Sequence, residues 1–396
     1  MEREKRYRVC VVTGTRAEYG LLRTLLFKFR DSDEIILQLI VTGSHLSDSF
    51  GNTQNEIIED GFKDFIKVPI PMSDDSKKGM AVTTGVAITR FAEVFEKNYC
   101  DIAVVLGDRF EILSAVIAAH LMGIPIAHIS GGDVTEGAVD DAIRHCITKM
   151  SSIHFPGCSQ SAKRIIQMGE QPETIFNVGE PGIENCLNTD FLTLDELALD
   201  LSFDGIKKNY CVVTFHPVTM EKNTAELQLY QLIEAMDHFS DMYYVITMAN
   251  ADAGGRSINN IWIEEGKKRL NWLVVTSLGF RRYLSAVKYS QLVIGNSSSG
   301  IIEVPSLGVP TINIGDRQKG RMMAKSVISC APSYKDIVSA ISAGLSPEFK
   351  SKSKQSESPF GDGSTSKQIF DKILCYLKEQ KGIAEKHFFD IDFNIK

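Results

Sequence analysis

The run IAVVLGDRFEILSAVIAAHLMGIPIAHIS, residues 102–130, decides the fold class. Ile102–Leu106 is a short, fully apolar run closed by Gly107-Asp108, the pattern of a strand buried on both faces. Glu111 to Met122 has helical spacing, Met122-Gly123 is a turn, and Ile124 to Ser130 is a second apolar strand. Ile112 to Ile129 is apolar enough to invite a membrane reading, but it carries His120, Gly123, Pro125 and His128. A spanning helix needs about 20 consecutive apolar residues, so a buried helix, a turn and a buried strand fit better. Apolar strands separated by helices mean a parallel sheet covered on both faces.

The alternation continues outward. Toward the N-terminus lie strand 8–14 (RVCVVTG), a helix over Glu18–Phe29, strand 36–43 (ILQLIVTG) and a helix over Val82–Asn98. Toward the C-terminus come a helix over Asp140–Ser151 and strands at 153–157 (IHFPG) and 174–181 (TIFNVGEP). No strand-like run occurs in 185–205, so 186–205 is expected to be a linker region. A second series follows: YCVVTFHP (210–217), YYVITMAN (243–250), LVVTSLG (273–279), LVIGNSSSG (292–300) and PTINIGD (310–316). Helices are predicted over 224–239, 257–270, 280–289 and 300–307 between these strands. Residues 350–365, rich in Ser, Lys and Gly, are expected as a surface loop, and 366–380 as a final helix. The expected fold is α/β: two Rossmann-like domains, 1–185 and 206–365, facing a cleft. The ligand should lie at the carboxyl ends of the strands.

Composition bounds the function. With 396 residues, 43% hydrophobic and 23% charged, the chain is a globular protein of two-domain size. A net charge of −7 excludes a generally basic surface for nucleic acid. The eight cysteines form no C-x-x-C pair and mostly sit in apolar runs, as expected of buried thiols in a reducing compartment. The apolar run after MEREKRYR stops at Thr13-Gly14, too short for a signal peptide, so a cytoplasmic protein is expected.

Chemistry concentrates where strands end. The first loop, Gly14 to Gly20, leads into a helix; its amides and Arg16 suit an anion. It is not a dinucleotide fingerprint, since G-x-G-x-x-G is missing, and no G-x-x-x-x-G-K-[ST] occurs. The loop Gly107-Asp108-Arg109-Phe110-Glu111 places an acid and a base at the mouth of the sheet, where burial would be unfavourable without a purpose. The loop from His128 to Gly137 carries Asp133 and Glu136, followed by Asp140 and Asp141. Asp140, Arg144 and Thr148 share one helical face. In the second half, His216 ends a strand, and Gly295-Asn296-Ser297-Ser298-Ser299-Gly300 forms a cradle of amides and hydroxyls for phosphate. Glu303, one turn on, is placed for a ribose diol, and 315–321, including Arg321, supplies cations. Carboxylates in one half and phosphate ligands in the other suit a nucleotide-sugar enzyme.

The motifs VVTGTRAEYG, VLGDRFE, HISGGDVTEGAVDDAIRH, TFHPVT, MANADAG and IGNSSSGIIEVPSLGVPTINIGDRQKGR occur in the order of the hydrolysing UDP-N-acetylglucosamine 2-epimerases. The chain resembles that family over about residues 8–365, most closely the bacterial branch that makes N-acetylmannosamine for sialic acid. The resemblance implies a glycosyltransferase-B-type fold with the C-terminal helix, about 366–396, packing back on the first domain. It implies elimination of UDP to 2-acetamidoglucal, then hydration, with neither NAD nor an obligatory metal. Asp108 and Asp140 would be catalytic carboxylates and Glu303 the ribose ligand. Phe280 would stack on uracil, while Arg16, His216, Ser298, Ser299 and the amides after Gly300 would hold the diphosphate. Arg109, Glu136, Arg144 and Arg321 complete the expected substrate contacts.

The family often carries Glu two residues after the histidine of H-I-x-G-G, where this chain has Ser130. Asp133, favoured, or Glu136 is expected to replace it. The expected partners are the nucleotide sugar and further copies of the chain, as a dimer or tetramer, with no nucleic acid or membrane. A nucleotide-linked diacetamido-trideoxyhexose is the alternative substrate. A glycosyltransferase is the alternative reaction, disfavoured by the crowded acidic loop, and a non-catalytic nucleotide-sugar sensor is a third reading.

Overall fold

The computed structural model describes residues 6–47, 52–72, 76–135, 139–217, 225–249, 255–379 and 386–392. Two compact units emerge: unit 1 comprises Met1–Glu184 and Gly363–Lys396, unit 2 Asn185–Asp362.

Unit 1 contains β1 (Tyr7–Thr13), β2 (Ile35–Thr42), β3 (Ile66–Val68), β4 (Ile102–Leu106), β5 (Ile126–Ile129) and β6 (Ile153–Phe155). They form one sheet in the order β3-β2-β1-β4-β5-β6, parallel throughout. Unit 2 contains β7 (Tyr210–Thr214), β8 (Tyr243–Thr247), β9 (Trp272–Val275), β10 (Leu292–Gly295), β11 (Thr311–Ile314) and β12 (Val327–Cys330). Its order, β12-β11-β10-β7-β8-β9, repeats the same topology, again all parallel. Both are doubly wound Rossmann orders, which reverse direction beside the first strand. The switch points therefore fall between β1 and β4 in unit 1 and between β7 and β10 in unit 2.

Strand alternation builds the layers. Val9 and Val11 enter one core with Leu22, Leu26 and Phe29 of helix Arg16–Arg30, while Cys10 and Val12 enter another with Phe91 and Ile112. In unit 2, Cys211 and Val213 pack with Trp262, and Tyr210 and Val212 with Val287. A period of two within a strand buried on both faces requires apolar residues at every position. Helix Thr365–Glu379 packs Ile369, Ile373 and Leu377 into the core shared with helix Arg16–Arg30. Among the described residues no helix is long and apolar enough to cross a membrane.

Three local expectations differ. The 186–205 stretch carries helix Leu194–Leu201, whose Leu197 and Ala198 are buried in a core of unit 2. Thr193 and Glu196 form its capping box, a T-x-x-E signal visible in the sequence. Residues 174–181 make no strand of their own; a single parallel bridge joins Ile175 to His154. Residues 350–354 of the expected loop region belong to helix Pro347–Lys354, begun by a Ser346 cap and a proline in the first turn.

Candidate functional site

In unit 1 the loops after β1, β4 and β5 meet at the switch point. The organising side chain is Arg144, 7% exposed, on helix Val139–Met150. Its Nη2 pairs with the Asp108 carboxylate and donates to Thr135 Oγ1 at 3.2 Å; its Nη1 donates to the Asp133 carbonyl at 2.9 Å. Asp141 lies 3.5 Å from Nη1 and accepts from the Thr135 amide at 2.6 Å. One planar fork thus ties the β4 loop to the β5 loop, a task suited to arginine's fixed donor geometry. Asp140 sits at the start of the same helix. Burial and the neighbouring Asp108 carboxylate raise its pKa, opposed by Arg109 and Arg144. A carboxyl raised in this way favours the protonated form and suits a proton donor.

His128 on β5 fixes this arrangement from below. Its Nε2 is 2.8 Å from the Gly107 carbonyl, which can only accept, so Nε2 carries the proton and Nδ1 accepts from Thr148 Oγ1 at 3.1 Å. Burial pushes its pKa down to about 3, so the imidazole is neutral and structural. A Cβ on Gly131 would come 2.8 Å from His128 Nδ1 and 2.9 Å from Thr148 Oγ1, which explains a glycine there. Glu136 lies outside the described residues.

The first loop behaves differently from the anion seat read in the sequence. The amides of Gly14 and Thr15 donate to Glu18 Oε2, at 2.7 and 3.2 Å, so the chain's own carboxylate occupies that seat. Thr15-x-x-Glu18 is a capping box, a signal present in the sequence but missed in reading the loop. Burial lifts the Glu18 pKa to about 7, helped by nearby Glu111 and opposed by the Gly14 amide and Arg109. Arg109 pairs at 3.0 Å with fully buried Glu111. Arg16 is exposed and pairs at 2.7 Å with Glu56. Glu18 and Glu111 are thus further carboxyl groups at this switch point.

In unit 2 the ends of β7 and β10 are tied by reciprocal hydrogen bonds. The His216 amide donates to Asn296 Oδ1 at 2.7 Å, and Asn296 Nδ2 donates to the His216 carbonyl at 2.8 Å. Gly295 (φ 137°) is required, since a Cβ would collide with the Thr214 carbonyl. A cavity of about 410 Å³ opens here, lined by Thr214, His216, Thr247, Phe280, Tyr283 and Ser299 among others. Phe280 opens helix Gly279–Tyr289 and stays 55% exposed, leaving a ring face available. Ser298 precedes the short helix Ser299–Ile302, in which Gly300 is buried against Thr311. Glu303 follows; burial raises its pKa, with the Ser299 hydroxyl and Arg321 opposing. Glu303 Oε2 and Arg321 Nη1 are shielded from solvent without hydrogen-bond partners.

Two Rossmann-order units with polar groups gathered at their switch points define a glycosyltransferase-B-type α/β protein. The chain belongs to the UDP-N-acetylglucosamine 2-epimerase family, whose model matches residues 28–374. It is 38% identical to the Escherichia coli polysialic acid biosynthesis protein P7, over 97% of each chain. It is also 38% identical to a Campylobacter jejuni GDP/UDP-N,N'-diacetylbacillosamine 2-epimerase (hydrolyzing), covering 87% of this chain and 88% of that protein. Among solved structures, the UDP-GlcNAc 2-epimerase of Neisseria meningitidis bound to UDP-GlcNAc superposes with a TM-score of 0.74 at 18% identity, covering 93% of this chain and all of that one.

Proposed function

We propose that this protein is a hydrolysing 2-epimerase that converts UDP-N-acetylglucosamine to UDP and N-acetylmannosamine. The observation that carries the reading is the Asp108–Arg144 pair with Asp140 beside it at the unit 1 switch point. Family membership supports the reaction class. We assign the acetamido sugar to unit 1 and UDP to the cavity of unit 2.

In the first half-reaction a carboxylate takes the C-2 proton. The C–H electron pair becomes the C-1=C-2 π bond, and the C-1–O bond breaks with its pair on the UDP β-phosphate. The C-2 proton is only weakly acidic, so departure of UDP must be assisted by donors where charge develops. His216, Ser298, Ser299 and the Gly300 amide are assigned to this, Arg321 supplies further positive charge, and Glu303 takes the ribose hydroxyls. In the second half water adds its oxygen to C-1 of the glycal while one of its protons passes to a carboxylate, and an acid returns a proton to C-2 on the other face. Asp108, Asp140 and Asp133 are the proposed acid–base groups, with Arg109 and Glu136 beside the sugar. Arg144, already satisfied by protein partners, positions them. We place the enzyme in the cytoplasm, consistent with eight free cysteines, as a homo-oligomer supplying a sialic acid route.

The Campylobacter relative favours a second substrate, a nucleotide-linked diacetamido-trideoxyhexose, handled by the same chemistry. Incubation of the protein with each sugar nucleotide alone in heavy water, followed by NMR, tests both. UDP and a manno product deuterated at C-2 are expected from the true substrate. Protium retained at C-2 would refute elimination through a glycal, and transfer seen only with an added acceptor would make the protein a glycosyltransferase.

A further inference from the structure

We infer that Glu180 is a further acid–base carboxylate for the sugar, separate from the Asp108–Asp140 cluster and presented through Ser130. The inference rests on the proposed reaction and adds a residue that the loop sequences did not point to. Inversion at C-2 requires the proton to leave on one face and return on the other. A single rigid group reaches only one face, so a second, separately positioned carboxyl is needed. Asp108 and Asp140 form one electrostatic cluster around Arg144.

Glu180 is placed at the same edge of the sheet by a different route. A single parallel bridge between Ile175 and His154, with the Phe176 amide donating to the His154 carbonyl at 2.9 Å, anchors the chain beside β6 just before Glu180. Ser130 directly follows β5, so a carboxylate bonded to it lies at the carboxyl edge of the sheet. There Ser130 Oγ donates to Glu180 Oε2 at 2.7 Å, although 50 residues separate them. Ser130 itself is held in the left-handed region (φ 60°), rare for a residue with a side chain, and such strain persists only where the surroundings enforce it. Its amide donates to the Phe155 carbonyl at 2.9 Å, fixing the backbone that aims the hydroxyl. The Glu180 carboxylate lies over Gly157, where a Cβ would collide with it, so glycine at 157 makes room for the acid. The turn carrying Glu180 is clamped from behind: Thr365 Oγ1 donates to the Val178 carbonyl at 2.9 Å, and the Ser366 amide donates to Glu184 Oε2 at 2.7 Å. Ser130 and Glu180 are both only half-buried, so a ligand can reach them. A carboxylate missing from position 130 in sequence is thereby restored in space.

The test compares wild type, Glu180→Gln, Asp133→Asn, and Glu180→Gln combined with Ser130→Glu, on both candidate sugar nucleotides. UDP release, C-2 deuteration, UDP affinity and melting temperature are measured for each. Glu180→Gln is expected to lower turnover at least about a hundredfold, with UDP affinity and melting temperature unchanged. Adding Ser130→Glu is expected to restore part of the lost rate, because it returns a carboxylate to the same spot; a purely structural role for Glu180 would give no such rescue. Near-normal turnover by Glu180→Gln beside an active wild type would overturn this assignment alone. Loss of rate without rescue, together with a lowered melting temperature, would reassign Glu180 to structure and equally overturn it. A wild type that releases UDP from neither sugar would overturn the proposed function and this inference with it.

Discussion

Replacing Arg144 by lysine keeps the charge but removes the fork. A lysine ammonium can follow Asp108, yet it cannot also reach the Asp133 carbonyl and Thr135 Oγ1, which the guanidinium holds at 2.9 and 3.2 Å. Hydrogen bonds from a charged donor contribute roughly 1.5–3 kcal/mol each. The acceptors sit on a half-exposed loop, so the lower bound applies, and losing two costs about 3 kcal/mol. For a unit of roughly 220 residues, a loss of 1 kcal/mol shifts the midpoint by about 2–4 °C, so unit 1 should melt roughly 6–12 °C lower. The loop carrying Asp133 and Thr135 would no longer be registered against Asp108, and turnover should fall about a hundredfold or more. UDP affinity should stay at the wild-type value, because the cavity lined by His216, Phe280 and Ser299 belongs to unit 2. Differential scanning calorimetry, UDP titration and a UDP-release assay read the three effects separately. An Arg144→Lys enzyme with wild-type turnover and melting would refute the claim that one guanidinium assembles the site.

Asp108→Asn and Asp140→Asn should each lower turnover by about two to four orders of magnitude with UDP binding intact, as acid–base groups would; steady-state kinetics beside UDP calorimetry checks this. Glu303→Ala should weaken UDP binding by roughly 1.5–3 kcal/mol, the scale of charged hydrogen bonds to the ribose hydroxyls; unchanged affinity in calorimetry would remove the ribose role. Burial pushes the Glu170 carboxyl up, but hydrogen bonds from His154, Lys149 and Lys386 outweigh this and hold it at about 2. Its pKa is thus depressed on folding, so its contribution is complete above the ordinary value of 4.5 and lost as pH falls toward about 2. Thermal melts of Glu170→Gln should show a shallower decline than wild type across that window, and equal slopes would refute the linkage.

Much of the architecture is legible in the sequence because a strand buried on both faces must be apolar at every position, and the helices between strands keep their own period. IAVVL and IPIAHI read as neighbours in a parallel sheet for that reason, and the loops after them carry the polar groups that a switch point exposes. The 102–130 run therefore locates Asp108, and the helix after it locates Asp140 and Arg144, from local pattern alone. Local polar signals extend further still. Thr15-Arg16-Ala17-Glu18 spells a capping box, which shows why Glu18 and not a ligand takes the Gly14 and Thr15 amides.

What sequence spacing does not carry is which distant side chains share a point in space. Arg144 can be placed on a helical face, but its grip on Asp108, 36 residues away, depends on how β4 and the helix after β5 dock. Glu180 lies in a stretch that reads as a strand of its own, with nothing local to mark it as part of a site. Only the parallel bridge at His154, the glycine at 157 and the clamp from Thr365 bring its carboxylate to Ser130. Backbone periodicity is a local property, set by each residue's neighbours along the chain. The meeting of two carboxyl-terminal loops is decided by sheet order and helix docking, which are settled by packing the whole core at once.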